Sequence, residues 1–332
     1  MLSIPIRRFV LTAIKDVSGL VQLLLGILSL RKNQPRGYTE RRIEKRSLIS
    51  RLPAGSWDSH MHVIDPVKYP LSKNALYTPQ AHTLSEALQF EQSTGIRKIV
   101  LVQPSIYGTD NSCLLDALRA LGPTRARAVV AFDCEKIDCA TLDKWHEWGV
   151  RGVRVNTQSI GKHMDEEELA TALRRYADII RAYNWVLQLY VPLATAVVLE
   201  KIVPELGVTV CLDHFGSPDL VVGSHGGDPY NLPGFRSLVN LLMQGNTYVK
   251  LSAPYRISGE ETYKDLEPVA KELLAVAGMS RTVFASDWPH TRFEGLDIKP
   301  YMEKLLDWCG DDEDLIQRVF RGNAETLWGI DQ

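Results

Sequence analysis

Lys98-Ile99-Val100-Leu101-Val102-Gln103-Pro104-Ser105 is an unbroken apolar run that stops in an amide, a proline and a hydroxyl. A strand with one face in water alternates polar and apolar residues. A run apolar at every position belongs to a strand covered on both faces, as in a parallel sheet flanked by helices. The same form recurs along the chain, giving candidate strands at 57–63, 98–105, 127–133, 152–156, 186–191, 209–214, 248–252 and 283–287. Helical periodicity fills the intervals at 84–92, 112–121, 140–148, 165–183, 193–206, 233–244, 266–277 and 299–307, with a further stretch at 313–327.

Eight strands, each followed by a helix over ~275 residues, predict an α/β chain folded as a (β/α)8 TIM barrel. An open doubly wound sheet would carry a glycine-rich phosphate turn after an early strand, and neither GxGxxG nor GxxxxGKS occurs. The barrel pattern begins at Trp57, so the expected domains are an N-terminal helical extension, 1–51, and the barrel, 52–332.

The extension reads differently from the rest. Arg7, Arg8 and Lys15 precede an apolar stretch, 17–30, which makes ~21 Å of helix where a bilayer core needs ~30 Å. Four readings stay open for 1–30: a secretory signal (weak, with no small-residue cleavage site after Leu30), an amphipathic helix in contact with a membrane, a mitochondrial presequence (against which Asp16 counts), and a helix packed on the outside of the barrel. Over the whole chain 38 Lys and Arg against 40 Asp and Glu leave a charge of −2, and no basic stretch occurs outside the first 51 residues. The expected partner is therefore a small-molecule substrate and not nucleic acid. Five scattered cysteines without a CxxC pair argue against a disulfide framework and a zinc ribbon, and for a cytoplasmic protein. Oligomeric state leaves no signature in the sequence.

Polar residues collect where the apolar runs stop: Asp58-Ser59-His60-Met61-His62, Gln103-Pro104-Ser105, Arg154-Val155-Asn156, Gln188-Leu189-Tyr190, Asp213-His214, Lys250-Leu251-Ser252 and Ser286-Asp287-Trp288-Pro289-His290. In a barrel these are the C-terminal strand ends, where catalytic groups sit. His60 and His62 are two apart, so a strand turns both imidazoles to one face. His214 is a natural third nitrogen donor. Asp287 adds a carboxylate that ligates a metal, accepts a proton from water, or does both. Three imidazoles and a carboxylate suit one Zn²⁺ or another divalent ion. A two-metal centre is not expected, because Arg154 and Asn156 stand where a bridging ligand would end strand 4, and arginine does not ligate.

These motifs, with Arg151-Gly152-Val153-Arg154-Val155-Asn156, Leu212-Asp213-His214-Phe215-Gly216 and the closing Asn323-Ala324-Glu325-Thr326-Leu327-Trp328-Gly329, resemble the amidohydrolase superfamily. The likeness runs from Trp57 to Gly329 and is strongest to the branch that holds 2-pyrone-4,6-dicarboxylate lactonases. It implies a barrel hydrolase that opens a lactone. Asp287 would activate water, and His60, His62 and His214 would surround the carbonyl. Arg154, Tyr190 and Arg256, with Ser105, Tyr77 and His290, would bind substrate. Some relatives hold one divalent metal, zinc foremost, on the three histidines and the aspartate, and the pyrone dicarboxylate lactonases require none. The expected cofactor is accordingly none or a single divalent ion. The resemblance also implies a second basic residue after the strand-4 arginine, where this chain has Ile160 followed by Lys162. That departure points to a less charged or more aromatic lactone, with Trp288 and Tyr107 as candidate apolar walls. Two other functions fit the same pattern: a metal-dependent decarboxylase of an aromatic acid, whose strand-1 motif would usually be ExHxH where this chain has Asp58, and a catalytically silent barrel that binds.

Overall fold

The structure, a computed structural model, describes residues 47–159, 161, 164–220 and 227–329. Eight parallel strands follow one another in chain order: β1 (Trp57–Met61), β2 (Lys98–Val102), β3 (Ala126–Val130), β4 (Val150–Asn156), β5 (Val186–Tyr190), β6 (Val210–Leu212), β7 (Thr247–Leu251) and β8 (Thr282–Phe284). A parallel bridge between Met61 and Trp288 brings the last strand round to the first. The predicted (β/α)8 TIM barrel is the fold.

The continuous apolar runs are explained by two cores. Alternate residues such as Val100 and Val102 point into the barrel, where they meet Trp57, Val129, Val186 and Val283. Their neighbours Ile99 and Leu101 point outward into the layer shared with the helices. Every strand position is thus dry on its own side. At the N-terminal end of the barrel, the helix Asn323–Leu327 and Trp328 make the floor. Asn323 donates to the carbonyls of Gly278 and Thr282 at 2.8 and 2.9 Å, and the Trp328 indole reaches Ser59 Oγ at 3.2 Å.

Several strands stop earlier than expected, for local reasons. β2 ends at Val102 because Pro104 has no N–H for the ladder, and a 3₁₀ turn, Ser105–Tyr107, follows. β6 ends at Leu212, since His214, Phe215 and Gly216 take φ values of 50, 56 and 77°. β8 leaves β7 after Phe284 and continues along β1: Ser286 N–H donates to Asp58 Oδ1 and Asp287 N–H to the His60 carbonyl, both at 2.9 Å. The expected helix at 165–183 is Glu166–Ile180 with a 3₁₀ turn after it. It starts in a capping box, in which Asp165 accepts from Glu168 N–H at 2.8 Å.

The described chain also begins before the expected barrel boundary. The short helix Leu48–Arg51 buries Leu48 in the outer core, and Arg51 Nη2 lies 2.8 Å from Asp307 Oδ1. Contacts accordingly divide the chain between Lys45 and Arg46. The readings made for 1–30 lie outside the described residues. No helix among those described is long and apolar enough to cross a membrane.

Candidate active site

β1 carries His60 and is followed at once by His62; a strand irregularity between Asp58 and Met61 and the His60 N–H donating to Asp58 Oδ1 at 3.0 Å hold this end. The His62 Nδ1 atom lies 2.7 Å from the Val102 carbonyl on β2. A carbonyl only accepts, so Nδ1 carries the proton and Nε2 offers its lone pair. His214, in the left-handed turn after β6, has its Nδ1 2.8 Å from Ser252 Oγ at the end of β7. Asp287, also left-handed at φ 63°, turns its carboxylate into the space between them. Non-glycine residues in this conformation carry backbone strain, and here they place the functional side chains.

The geometry centres on the Asp287 carboxylate. Its Oδ1 lies 3.6 Å from His60 Nε2, 3.6 Å from His62 Nε2 and 3.9 Å from His214 Nε2. Its Oδ2 accepts from the Tyr255 hydroxyl at 2.7 Å and from Arg256 Nε at 2.8 Å. Burial, the largest single influence, would raise the carboxyl, but Arg256 together with the surrounding histidines outweighs it and holds Asp287 well below the usual carboxylate range. Burial lowers His214 to about 4, and burial together with Lys250 lowers His60 well below its ordinary value. Both rings are therefore neutral near pH 7.

Nitrogen and oxygen atoms of His60, His62 and Asp287 lie within 4.8 Å of one another, as do those of His60, Asp213 and His214. Positions alone fit a single divalent ion. The lone pair of His62 Nε2 facing a carboxylate oxygen also calls for a cation or a water proton between them. One ring departs from this set: the buried ammonium of Lys250 stands 3.4 Å from His60 Nδ1.

The structure distributes the expected substrate-binding residues around this centre. Arg256 supports Asp287 and also donates through Nη2 to the Thr291 carbonyl at 3.1 Å. The His290 Nδ1 atom is 3.2 Å from the Tyr255 hydroxyl, and its Nε2 is buried without a partner. Tyr190 meets His214 edge-on, with ring centroids 4.7 Å apart. Tyr77 reaches the strand-8 loop at Thr291 Oγ1, 3.4 Å away. Arg154 is 8% exposed and tied on both terminal nitrogens, to the Gln103 carbonyl and to Asp213 Oδ2, each at 3.2 Å. Ser105, Gln103 and Arg154 border a cavity of about 920 Å³ over the ends of β2 to β4, and its lining includes neither the three histidines nor Asp287. The cavity also touches Phe132, Met164 and Tyr176. Trp288 and Tyr107 are packing residues. Trp288 stacks with Phe90 at 5.8 Å, and the Tyr107 hydroxyl accepts from Asp65 N–H at 2.9 Å. Ile160 and Lys162 lie outside the described residues.

Sequence reasoning marked Gln188, Asp213 and Lys250 as strand-end polar residues but gave them no role, and they form a layer beneath the site. Asp213, Gln188 and Lys250 face the barrel interior, where Lys250 Nζ lies 2.7 Å from Gln188 Oε1 and 3.3 Å from Asp213 Oδ1. A lysine alternating with Tyr248 inside an apolar run was the available signal. Tyr255 stands in a loop and left none.

Asp58, at the seam of β1 and β8, is wholly buried. Burial pushes its carboxyl up from 3.8 to about 7, against hydrogen bonds from Ser286 and His60 that lower it. A carboxyl that holds its proton more tightly in the folded chain favours folding fully below its unfolded value, and that contribution is lost as pH rises through about 7. Asp58→Asn is expected to gain stability relative to the native chain as pH rises from about 4 to about 7. A difference in denaturant midpoint that stays constant across that window would contradict the assignment.

With three histidines and an aspartate convergent at the C-terminal mouth, the chain was compared with known proteins. The amidohydrolase family matches residues 57–330. The chain belongs to this family. A 4-sulfomuconolactone hydrolase of Hydrogenophaga intermedia is 30% identical over 286 residues, covering 84% of this chain and 90% of that one. A 2-pyrone-4,6-dicarboxylate hydrolase of Comamonas testosteroni is 28% identical over 293 residues, covering 84% and 91%. A solved Pseudomonas putida structure, assigned as a 2-pyrone-4,6-dicarboxylic acid hydrolase, superposes with a TM-score of 0.70. It is 30% identical and covers 85% of this amidohydrolase and 100% of its own chain.

Proposed function

We propose that this amidohydrolase opens the ring of a small lactone bearing one anionic group, by water addition at the C-terminal mouth of the barrel. The observation that carries the reading is Asp287 Oδ1 facing three imidazoles while Arg256 and Tyr255 occupy Oδ2. The 28% and 30% identical relatives that hydrolyse lactones support it.

Asp287 Oδ1 takes a proton from water, and the hydroxide adds to the lactone carbonyl. The carbonyl oxygen, now negative, is met by an imidazole N–H in a water-poor setting, where such a bond is strong. Collapse of the adduct breaks the ring C–O bond, and the departing oxygen takes the proton from Asp287. A carboxyl held well below its usual range returns that proton readily. A lactone carbonyl is more electrophilic than an amide, so so weak a base suffices. Were a divalent ion held by His62, His214 and Asp287, with His60, it would supply Lewis-acid polarisation of the carbonyl and acidify its water.

The choice of one anion follows from the arginines. Arg154 already faces Asp213, whereas Arg256 has no protein partner for Nη1 among the described residues. Tyr190, Ser105, Tyr77 and His290 complete the lining. The test is a panel of lactones of matched ring size with one or two carboxylates, with and without a chelator. Singly charged lactones should show at least ~10-fold higher kcat/KM, and most activity should survive chelation. Decarboxylation of an aromatic acid with added metal, in a sample that opens no lactone, would overturn the reading.

A further inference from the structure

We propose that Lys250 is a positioning residue that fixes which nitrogen of His60 carries the proton, so that His60 donates a hydrogen bond to the substrate's carbonyl oxygen and is withdrawn from the metal-ligating lone pairs. The proposal rests on the hydrolytic reading of the Asp287 cluster.

Lys250 is fully buried on β7, between the Trp328 ring, 5.4 Å from its ammonium, and the imidazole of His60. An ammonium has three protons and no lone pair. Its oxygen neighbours are Gln188 Oε1 at 2.7 Å and Asp213 Oδ1 at 3.3 Å, and its third neighbour is His60 Nδ1 at 3.4 Å. A ring nitrogen met by a lysine N–H must be bare. In the neutral imidazole the proton then sits on Nε2.

Asp213 Oδ1 also lies 3.4 Å from His60 Nδ1 and would select the opposite tautomer. In this arrangement that oxygen makes no hydrogen bond. The Asp213 charge is already answered by Lys250 at 3.3 Å, by Arg154 Nη2 at 3.2 Å and by the Gln188 amide at 3.1 Å. Asp213 thus neutralises the lysine that would otherwise be an unpaired buried cation.

The two histidines at the end of β1, His60 on the strand and His62 just after it, consequently present opposite groups to Asp287. His62, with Nδ1–H on the Val102 carbonyl, offers a lone pair, and His60 offers an N–H. The His60 Nε2 atom is buried and has no hydrogen-bond partner in the protein, so its proton is available to an oxyanion. A positive charge behind the ring also opposes a metal ion in front of it. An HxH strand end, usually read as half of a metal centre, is here turned toward hydrogen-bond catalysis by a residue 190 positions away.

Long-range ¹H–¹⁵N spectra of the metal-free full chain labelled with ¹⁵N-histidine test this directly, with His60 assigned from a His60→Gln sample. The expected result is His60 protonated at Nε2 and His62 at Nδ1. In Lys250→Met, Asp213 becomes the partner and the His60 proton moves to Nδ1. Zinc, titrated against a competing chelator, should then bind at least ~10-fold tighter than to the native chain. Lys250→Arg, which keeps a donor, should retain the native tautomer. A native His60 protonated at Nδ1 overturns the proposal whether or not the variants fold. An unchanged tautomer or unchanged zinc affinity in folded Lys250→Met does so as well. No lactone enters these measurements, so their failure is distinct from failure to find a substrate.

Discussion

Asp287→Asn is expected to lower lactone turnover at least ~100-fold while the melting temperature changes little. Asparagine keeps an oxygen that can accept from Tyr255 and Arg256, the two bonds that orient residue 287. What it loses is proton affinity, since an amide cannot hold the proton taken from water. The defect should therefore fall on kcat and leave KM nearly unchanged. Steady-state kinetics beside calorimetry decide the matter, and near-normal kcat in a folded variant would remove Asp287 from the proton-accepting role.

Arg256→Ala is expected to cost more, about 1000-fold in kcat/KM for an anionic lactone. Two contacts go at once, the Nε bond that orients the base and the Nη1 donor left for the anion. At about 2 kcal/mol for each hydrogen bond to a charged group, with about tenfold for each 1.4 kcal/mol, the sum is about a thousandfold. The loss should divide in an informative way. Asp287 without its Nε partner is mispositioned, which lowers kcat for every lactone. The lost anion contact raises KM only for charged ones. An uncharged lactone of the same ring serves as the control. A KM for the charged lactone unchanged from the native enzyme would mean that Arg256 acts through Asp287 alone.

The barrel was legible because strands dry on both faces leave runs such as 98–102, which a water-facing strand does not contain. Strand ends were read three residues long at 103–105 and 285–287, because residue type does not mark where a chain leaves its hydrogen-bonded ladder. His60, His62, His214 and Asp287 were legible by position alone, each standing where an apolar run stops. Arg154 was placed correctly at the mouth, yet its pairing with Asp213 crosses from β4 to β6 and no local pattern encodes it. Lys250 is the sharper case. Its alternation with Tyr248 marks it as interior, but that it stands behind His60 depends on closure of the barrel. The first 46 residues belong to neither account.

That closure has a consequence for how the enzyme comes into being. Asp58 and Ser286, hydrogen-bonded across the seam, are 228 residues apart in the chain, and the adjacent bond from Asp287 N–H to the His60 carbonyl joins a proposed base to a proposed donor. Contacts of such long sequence separation form late, after the entropy of the intervening loop has been overcome. The final ring of the sheet and the reactive centre are the same few atoms, so no partly folded species can be active. During refolding, lactone opening should therefore return with the last kinetic phase, behind the recovery of helical signal, which makes turnover a clock for the joining of the first strand to the last.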